Sequence, residues 1–243
     1  MPTVARLTAH VLPARQVSGE TGERMYALFE RYYAATSPAA FHADLAAKRL
    51  VILLHDEQGI LRGFSTLAVD EFEHAGRQRR AVFSGDTIVH HEFWGEQALA
   101  FAWTELAGRL KAEAPDVPLY WFLISKGVRT YRYLPAMARH FYPSWKEATP
   151  PEMQGLLDFL ARARFGTAYQ ADQGVIRFAQ SRGQLREPWL VVSEHELERP
   201  EVRFFLQRNP RHGLGEELAC LTELAAENMR PLARRLFEKG LAT

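Results

Sequence analysis

Ala81-Val82-Phe83-Ser84-Gly85-Asp86-Thr87-Ile88-Val89-His90-His91-Glu92-Phe93-Trp94-Gly95-Glu96-Gln97-Ala98-Leu99 runs from an apolar, β-branched segment through a short loop into an amphipathic helix. The loop has a single glycine, Gly95. Such a strand–loop–helix is the geometry in which a chain presents backbone N–H groups and a helix N-terminus to a phosphate or a thioester. The helix carries Leu99, Ala102, Trp103, Leu106 and Leu110 on one face. Beyond it, Leu119–Ile124 is apolar throughout, as befits a central strand covered on both faces. A helical segment over Ser125–Leu134 follows, with Pro135 as its stop.

Upstream, Val4–Leu12 alternates as a first strand ended by Pro13, and a helix from about Gly22 places Met25, Leu28, Phe29, Tyr32 and Tyr33 on one stripe. Ser37-Pro38 reads as the cap and first residue of a second helix that buries Phe41 and Leu45. Leu50–His55 and Ile60–Val69 flank Asp56-Glu57-Gln58-Gly59 as a hairpin. A basic turn over Ala75–Arg80 leads back to the quoted strand. An antiparallel start followed by alternating strands and helices predicts an α/β fold, a mixed sheet with helices on both faces.

Pro150-Pro151 marks a boundary, giving residues 1–148 as one domain and 149–243 as a C-terminal α+β extension packed on it. Thr149 and Glu152 have capping-box spacing ahead of Met153, Leu156, Leu157 and Leu160. Short strands are expected at Gly174–Phe178 and Trp189–Val192, a turn at Asn209-Pro210, and terminal helices through Leu218–Leu224 and Leu232–Leu236.

At 243 residues, 47% hydrophobic and a net charge of +1, the chain is expected to be a soluble globular protein with no global field for nucleic acid or anionic membrane. The clusters Arg77–Arg80 and Arg230–Arg235 read as solvated faces. One cysteine, Cys220, excludes an internal disulfide and fits a reducing compartment. With no signal peptide evident and no apolar run of membrane length, a cytoplasmic location is expected. No HExxH, CxxC, GxSxG or GxxxxGKS pattern occurs, so no metal site is expected. Cys220, in an apolar run, reads as a buried small hydrophobe.

The order of elements over roughly the first 145 residues, with the match at Gly85–Leu99, resembles the GNAT (GCN5-related N-acyltransferase) superfamily. The resemblance implies a fourth strand splayed from the fifth, its exposed backbone at Ile88-Val89-His90 pairing with the pantetheine arm of an acyl donor. It also implies a loop around a pyrophosphate, and here this chain departs. Aligned on Gly95, Trp94 stands where the family has Arg or Gln, Gln97 at the first required glycine and Leu99 at the last. Side-chain atoms at Gln97 and Leu99 stand between backbone N–H groups and phosphate oxygens. Glu92 and Glu96 add repulsion of about 1 kcal/mol each at ~4 Å in water.

Three readings stay open: an acyl-CoA enzyme with an atypical grip, an enzyme whose donor is an acyl carrier protein, or an inactive relative kept as a binding or scaffold module. The favoured reaction is acyl transfer to an amine by direct attack. It needs a base, a strand amide to polarise the carbonyl and an acid for the thiolate. Asp86 is a candidate base, against a role as a turn cap. His90 is a second, although two adjacent histidines, His90 and His91, point to opposite faces of a strand. In the family the acid is a tyrosine after the fifth strand. Tyr133 is preferred to Tyr131, against a core-packing role. Cofactor contacts are expected from Ile88, Val89, His90, Trp94, Gly95 and Gln97, together with Ser125, Lys126 and Arg129. Lys126, Arg129 and Arg132 would form a basic face for an acidic carrier or a CoA phosphate. Phe93, Trp94, Phe101 and Trp103 suggest a bulky or lipid-like acyl chain, with core packing as the alternative.

Overall fold

The computed structural model of the protein describes residues 7–243. β1 (Thr8–Pro13) is the first strand, and the expected start at Val4 lies outside the described residues. α1 (Gly19–Glu30) opens on Ser18, whose hydroxyl accepts the Thr21 N–H, and buries Met25, Leu28 and Phe29. Tyr32 and Tyr33 continue that stripe beyond the helix, Tyr33 within β2 (Tyr33–Ala34). α2 (Pro38–Ala46) starts as its sequence predicts: Ser37 Oγ accepts the Ala40 N–H, and Phe41 and Leu45 are buried. β3 (Leu50–His55) and β4 (Leu61–His74) form the hairpin, and β5 (Arg77–Val89) returns after a turn at Ala75-Gly76, both at positive φ.

The chain then builds α3 (Ala98–Ala112), β6 (Leu119–Ser125), α4 (Val128–Tyr131), α5 (Tyr133–Met137) and α6 (Pro151–Phe165). Next come β7 (Tyr169–Gln170), β8 (Val175–Ile176), β9 (Gln184–Leu185), α7 (Glu194–Leu197) and α8 (Pro200–Arg208). β10 (Glu217–Glu223) and α9 (Pro231–Leu241) complete it.

Eight strands make one sheet in the order β1-β3-β4-β5-β6-β10-β8-β7, and β2 pairs with β9 beside it. β5 and β6 run parallel, whereas the other paired strands described run antiparallel, so the sheet is mixed as expected. One face packs on α3 and α9 through Ile52, Leu54, Val82, Trp103, Trp121 and Phe237. The other packs on α1 and α2 through Met25, Phe41 and Phe64, and on α6 through Phe83, Phe122 and Leu160.

The boundary at 148/149 does not break the sheet. β10 pairs with β6 from Leu218↔Ser125 to Glu223↔Tyr120, so residues 149–243 supply a strand to its middle. The expected helix over Leu218–Leu224 is this strand: the leucines at 218, 221 and 224 have a helical spacing, but the short apolar run Leu218-Ala219-Cys220-Leu221 does not distinguish a buried strand from a buried helix. Cys220, fully buried there, is the small hydrophobe its surroundings predict.

Other local expectations are overturned for identifiable reasons. Pro135 sits in the first turn of α5, where a missing N–H costs little, and so does not end a helix. No capping box forms at Thr149, because α6 begins on Pro151 and the Glu152 carboxylate instead accepts Arg79 Nη2 at 3.0 Å. Trp189 lies in a single 3-10 turn, not in a strand. The Arg77–Arg80 cluster is not a solvated face either. Arg79 and Arg80 are buried, and the Arg80 guanidinium donates to the Leu110 carbonyl and to Glu113 Oε2, each at 2.6 Å.

Candidate active site

Ser65 pairs with Thr87 and Leu67 with Ser84, so Gly85 and Asp86 together oppose Thr66 in a β-bulge. A glycine suits the first bulge position because a Cβ at Gly85 would stand 2.6 Å from both Lys48 Cε and Thr66 Oγ1. The extra residue changes the strand's alternation. Ser84 points to the α3 face, where its Oγ accepts the Trp121 and Trp103 indole N–H groups at 2.8 and 3.2 Å. Thr87 bonds Ser65 Oγ at 2.8 Å.

The parallel pairing of β5 with β6 ends at Ser84↔Leu123, although β5 continues to Val89. The two strands therefore diverge over Gly85–Val89. His90 N–H donates to the Arg62 carbonyl at 2.7 Å, and Val89 stands opposite Gly63. Ladder alternation then directs the N–H and C=O groups of Thr87 and Val89 away from β4, into the gap. This gap is a cleft of about 140 Å³, lined by Thr87, Ile88 and Val89 on one side and by Gly127–Thr130 and Tyr133 on the other. A smaller recess of about 30 Å³ continues it toward α3, sharing Thr87, Thr130 and Tyr133 with the cleft.

Tyr133 stands where the two spaces meet. Burial raises its phenol pKa, so the hydroxyl keeps its proton. Asp86 lies beside Tyr33, another residue of the cleft wall. Burial pushes its carboxyl up to about 7, helped by the negative charges of Asp44 and Glu217 and opposed by the ammonium groups of Lys126 and Lys48. Both lysines hold other carboxylates: Lys48 Nζ is 2.6 Å from Asp44, and Lys126 Nζ 3.4 Å from Glu217.

Of the residues expected to hold a donor, the structure brings Ile88, Val89, Trp94 and Arg129 to the cleft. The Arg129 guanidinium lies over the Trp94 ring at 3.5 Å, and Trp94 Nε1–H donates to the Val89 carbonyl at 2.8 Å. Ser125 and Lys126 are buried at the end of β6, outside the cleft wall. With Lys126 held by Glu217 and Arg132 3.7 Å from Glu196, these cations do not form a solvated basic face. Gly95 meets a backbone demand, φ of +105°, with open space where its Cβ would be. Gln97 precedes α3 without capping it by its side chain.

His90 is buried outside the cleft. Its Nε2 faces Arg31 Nη1 at 3.2 Å, its ring stacks on His91, and burial with the His91 charge lowers its pKa. Tyr133 thus lines both spaces, whereas Asp86 belongs to the diverging segment of β5 but lines neither of them, and His90 lies aside. Phe93 and Trp103 are buried in the core and Phe101 is exposed, so of these four aromatics Trp94 is the one on the cleft wall.

Residues 185–192 form the part of the wall absent from the sequence reading. Leu185 in β9 pairs with Tyr33, and Arg186 N–H donates to the Tyr32 carbonyl, which ties this strap across the end of α1. Trp189 packs against Tyr32 and Trp94 at centroid distances of 5.0 and 5.1 Å. No local pattern announces this, because the strap's partners lie about 150 residues upstream.

No family model matches the chain, and no curated protein does. Among solved structures, it is similar to a GNAT family N-acetyltransferase (YhbS) from Escherichia coli in complex with CoA. That likeness has 17% identity and a TM-score of 0.38, covering 55% of this chain and 70% of the other. A probable N-acyltransferase from Enterococcus faecalis V583 has 17% identity and a TM-score of 0.41, over 55% of this chain and 33% of the other. Arabidopsis thaliana NAA60, in complex with a bisubstrate analogue, has 13% identity and a TM-score of 0.39, over 55% and 86%. At such values the likeness assigns neither substrate nor reaction to this chain.

Proposed function

We propose that this chain is a GNAT-like N-acyltransferase that moves an acyl group from a pantetheine thioester to an amine. The observation that carries the reading is the divergence of β5 from β6, which leaves the Thr87 and Val89 backbone groups lining a cleft beside the Tyr133 hydroxyl. An extended arm bearing amides fits such a strand edge as an added strand would. The amine nitrogen attacks the thioester carbonyl, and a strand N–H stabilises the oxyanion. Asp86 takes the amine's proton, directly or through water. As the carbon–sulfur bond breaks, Tyr133 gives a proton to the departing thiolate. No covalent enzyme intermediate is needed.

The grip on a pyrophosphate is a separate matter. Glu92 and Glu96 lie in the loop, residues 90–98 contain no lysine or arginine, and the Arg129 guanidinium that reaches the loop is stacked on Trp94. The reading therefore rests on the arm and leaves acyl-CoA and an acyl carrier protein as donors to be distinguished. Purified protein incubated with acetyl-CoA and with an acetylated carrier, plus a panel of amines, separates them through free-thiol release. Release from either donor that depends on Tyr133 supports the reading. Release from neither, with no pantetheine binding, rejects it in favour of a binding module.

Trp94 gives a second check. Its indole N–H holds the Val89 carbonyl, an acceptor that a pantetheine amide would otherwise use. Trp94→Phe keeps an aromatic ring under Arg129 and releases that carbonyl. One hydrogen bond is worth about 1 kcal/mol net, so the donor KM should fall about fivefold.

A further inference from the structure

We infer that His90 and His91 form a pH-sensitive latch: while neutral, the stacked pair holds the strap at 185–192 against the cleft, and proton uptake releases it. The inference concerns the wall of the cleft and stands whether or not the acyltransferase reading does. The two rings stack at a centroid distance of 4.4 Å between the end of α1 and the strap. A guanidinium can only donate, so the contact of Arg31 Nη1 at 3.2 Å leaves His90 Nε2 without a proton. Tyr32 Oη accepts the His91 N–H at 2.7 Å and turns its own proton to His91 Nδ1, 3.2 Å away. Both contacts specify neutral imidazoles.

The same residues anchor the strap. Trp189 packs on the His91 and Tyr32 rings at 5.2 and 5.0 Å. Its indole N–H donates to the Arg31 carbonyl at 3.3 Å, and Arg186 Nε donates to the Glu30 carbonyl at 2.9 Å. The strap therefore hangs on residues 30–32 and on the histidine pair beneath Trp189.

A proton on His90 undoes this. Both ring nitrogens then donate, so the hydrogen bond from Arg31 is lost and two cations face each other. Toward His90, β4 adds Arg62, whose guanidinium is held by Asp56 at 2.6 Å, and the loop adds His91 and Glu92. Around His91 stand Tyr32, Trp189, and Trp94 with Arg129 over its ring. The carboxylate that faces this group is that of Glu92, largely exposed and 3.5 Å from His90 Nδ1. A buried imidazolium with so little to balance it turns out to water, and the stack beneath Trp189 goes with it. Burial and the charge of His91 hold the His90 pKa below the ordinary 6.5. The latch is therefore closed above that value and gives way as the pH falls through the lowered one.

The test follows the full chain, labelled with 5-fluorotryptophan and free of ligand, by fluorine NMR from about pH 7.5 to about pH 5. The expected result is a shift of the Trp94 and Trp189 signals with a midpoint below 6.5, while the buried Trp103 and Trp121 signals stay in place and report an intact core. His90→Gln keeps an acceptor for Arg31 and cannot take up charge, so both cleft signals should stay fixed across the titration. Arg31→Gln can accept as well as donate, so it tolerates the charged ring, and the midpoint should rise toward 6.5. The same transition in His90→Gln as in the parent overturns the latch, as does no transition before the core signals collapse. Disappearance of the transition in Asp86→Asn overturns it too, because the titrating group would then be that carboxyl.

Discussion

Asp86→Asn is expected to lose at least a hundredfold in turnover while melting at a higher temperature than the parent protein at pH 8. The two effects have one origin. The Asp86 carboxyl has its pKa pushed up to about 7 by burial, with Asp44 and Glu217 adding negative charge nearby. A base near neutrality is well matched to taking a proton from an amine, and removing such a base costs on the order of 10²–10⁴ in rate. In the parent, kcat/KM should fall about tenfold per pH unit below 7, because the carboxylate must be ionised to accept the proton.

Stability runs in the opposite direction. The folded-state pKa is raised, so the contribution of Asp86 to stability is complete below the ordinary carboxylate value near 3.8 and is lost as pH rises through 7. Above 7 the protein carries a buried carboxylate that it would hold more easily protonated. An asparagine stays neutral at all pH, and Lys48 and Lys126 keep Asp44 and Glu217 as partners. Thermal melts at pH 5 and pH 8 measure this: the advantage of the variant should be large at pH 8 and shrink toward pH 5. A variant that loses activity without that pH-dependent gain would place Asp86 in a structural role.

Gly240→Ala should cost about 3 kcal/mol and lower the melting temperature by roughly 6–12 °C, a large penalty for one methyl group. α9 approaches α3 so closely that a Cβ at Gly240 would overlap the Glu105 carbonyl, and one at Gly108 would overlap the Phe237 carbonyl. Backbone cannot rotate aside as a side chain can, so the helices must separate. Gly108→Ala should cost about as much. The double variant should cost less than the sum, because one displacement of α9 relieves both clashes. Gly155→Ala is the control. That glycine lies within α6 with no neighbour near its Cβ, and its replacement should stabilise by about 0.5–1 kcal/mol.

Much of the frame is legible because it is locally encoded. Ser37-Pro38 announces α2, Leu119–Ile124 its place in a central strand, and the quoted segment its strand–loop–helix. What escapes the sequence is set at long range. Leu218–Leu224 carries leucines at a helical three-residue spacing, and only its pairing with β6 makes it a strand. Arg79 and Arg80 look solvated until Glu152 and Glu113 arrive from other elements. In the site, Asp86 and Tyr133 are named by their position relative to the β5 loop and β6. The bulge that sets the direction of Thr87 is invisible, since nothing in Gly85-Asp86-Thr87 says that two residues will oppose one. The strap at 185–192 is equally silent, as Trp189 meets Tyr32 only in three dimensions.

The place of β10 has a consequence for how this molecule is made. β6, the strand beside the cleft, receives one neighbour, β5, early in synthesis. Its other neighbour begins at Glu217, more than ninety residues after Ser125. Until that strand emerges, one edge of the most apolar part of the sheet stands open to the ribosome's surroundings, a hazard for aggregation. Closure of so distant a pair also lengthens the search, as high contact order slows folding in general. A nascent chain stalled before residue 217 should therefore lack a protease-resistant core, and acquire it abruptly once β10 and α9 are released.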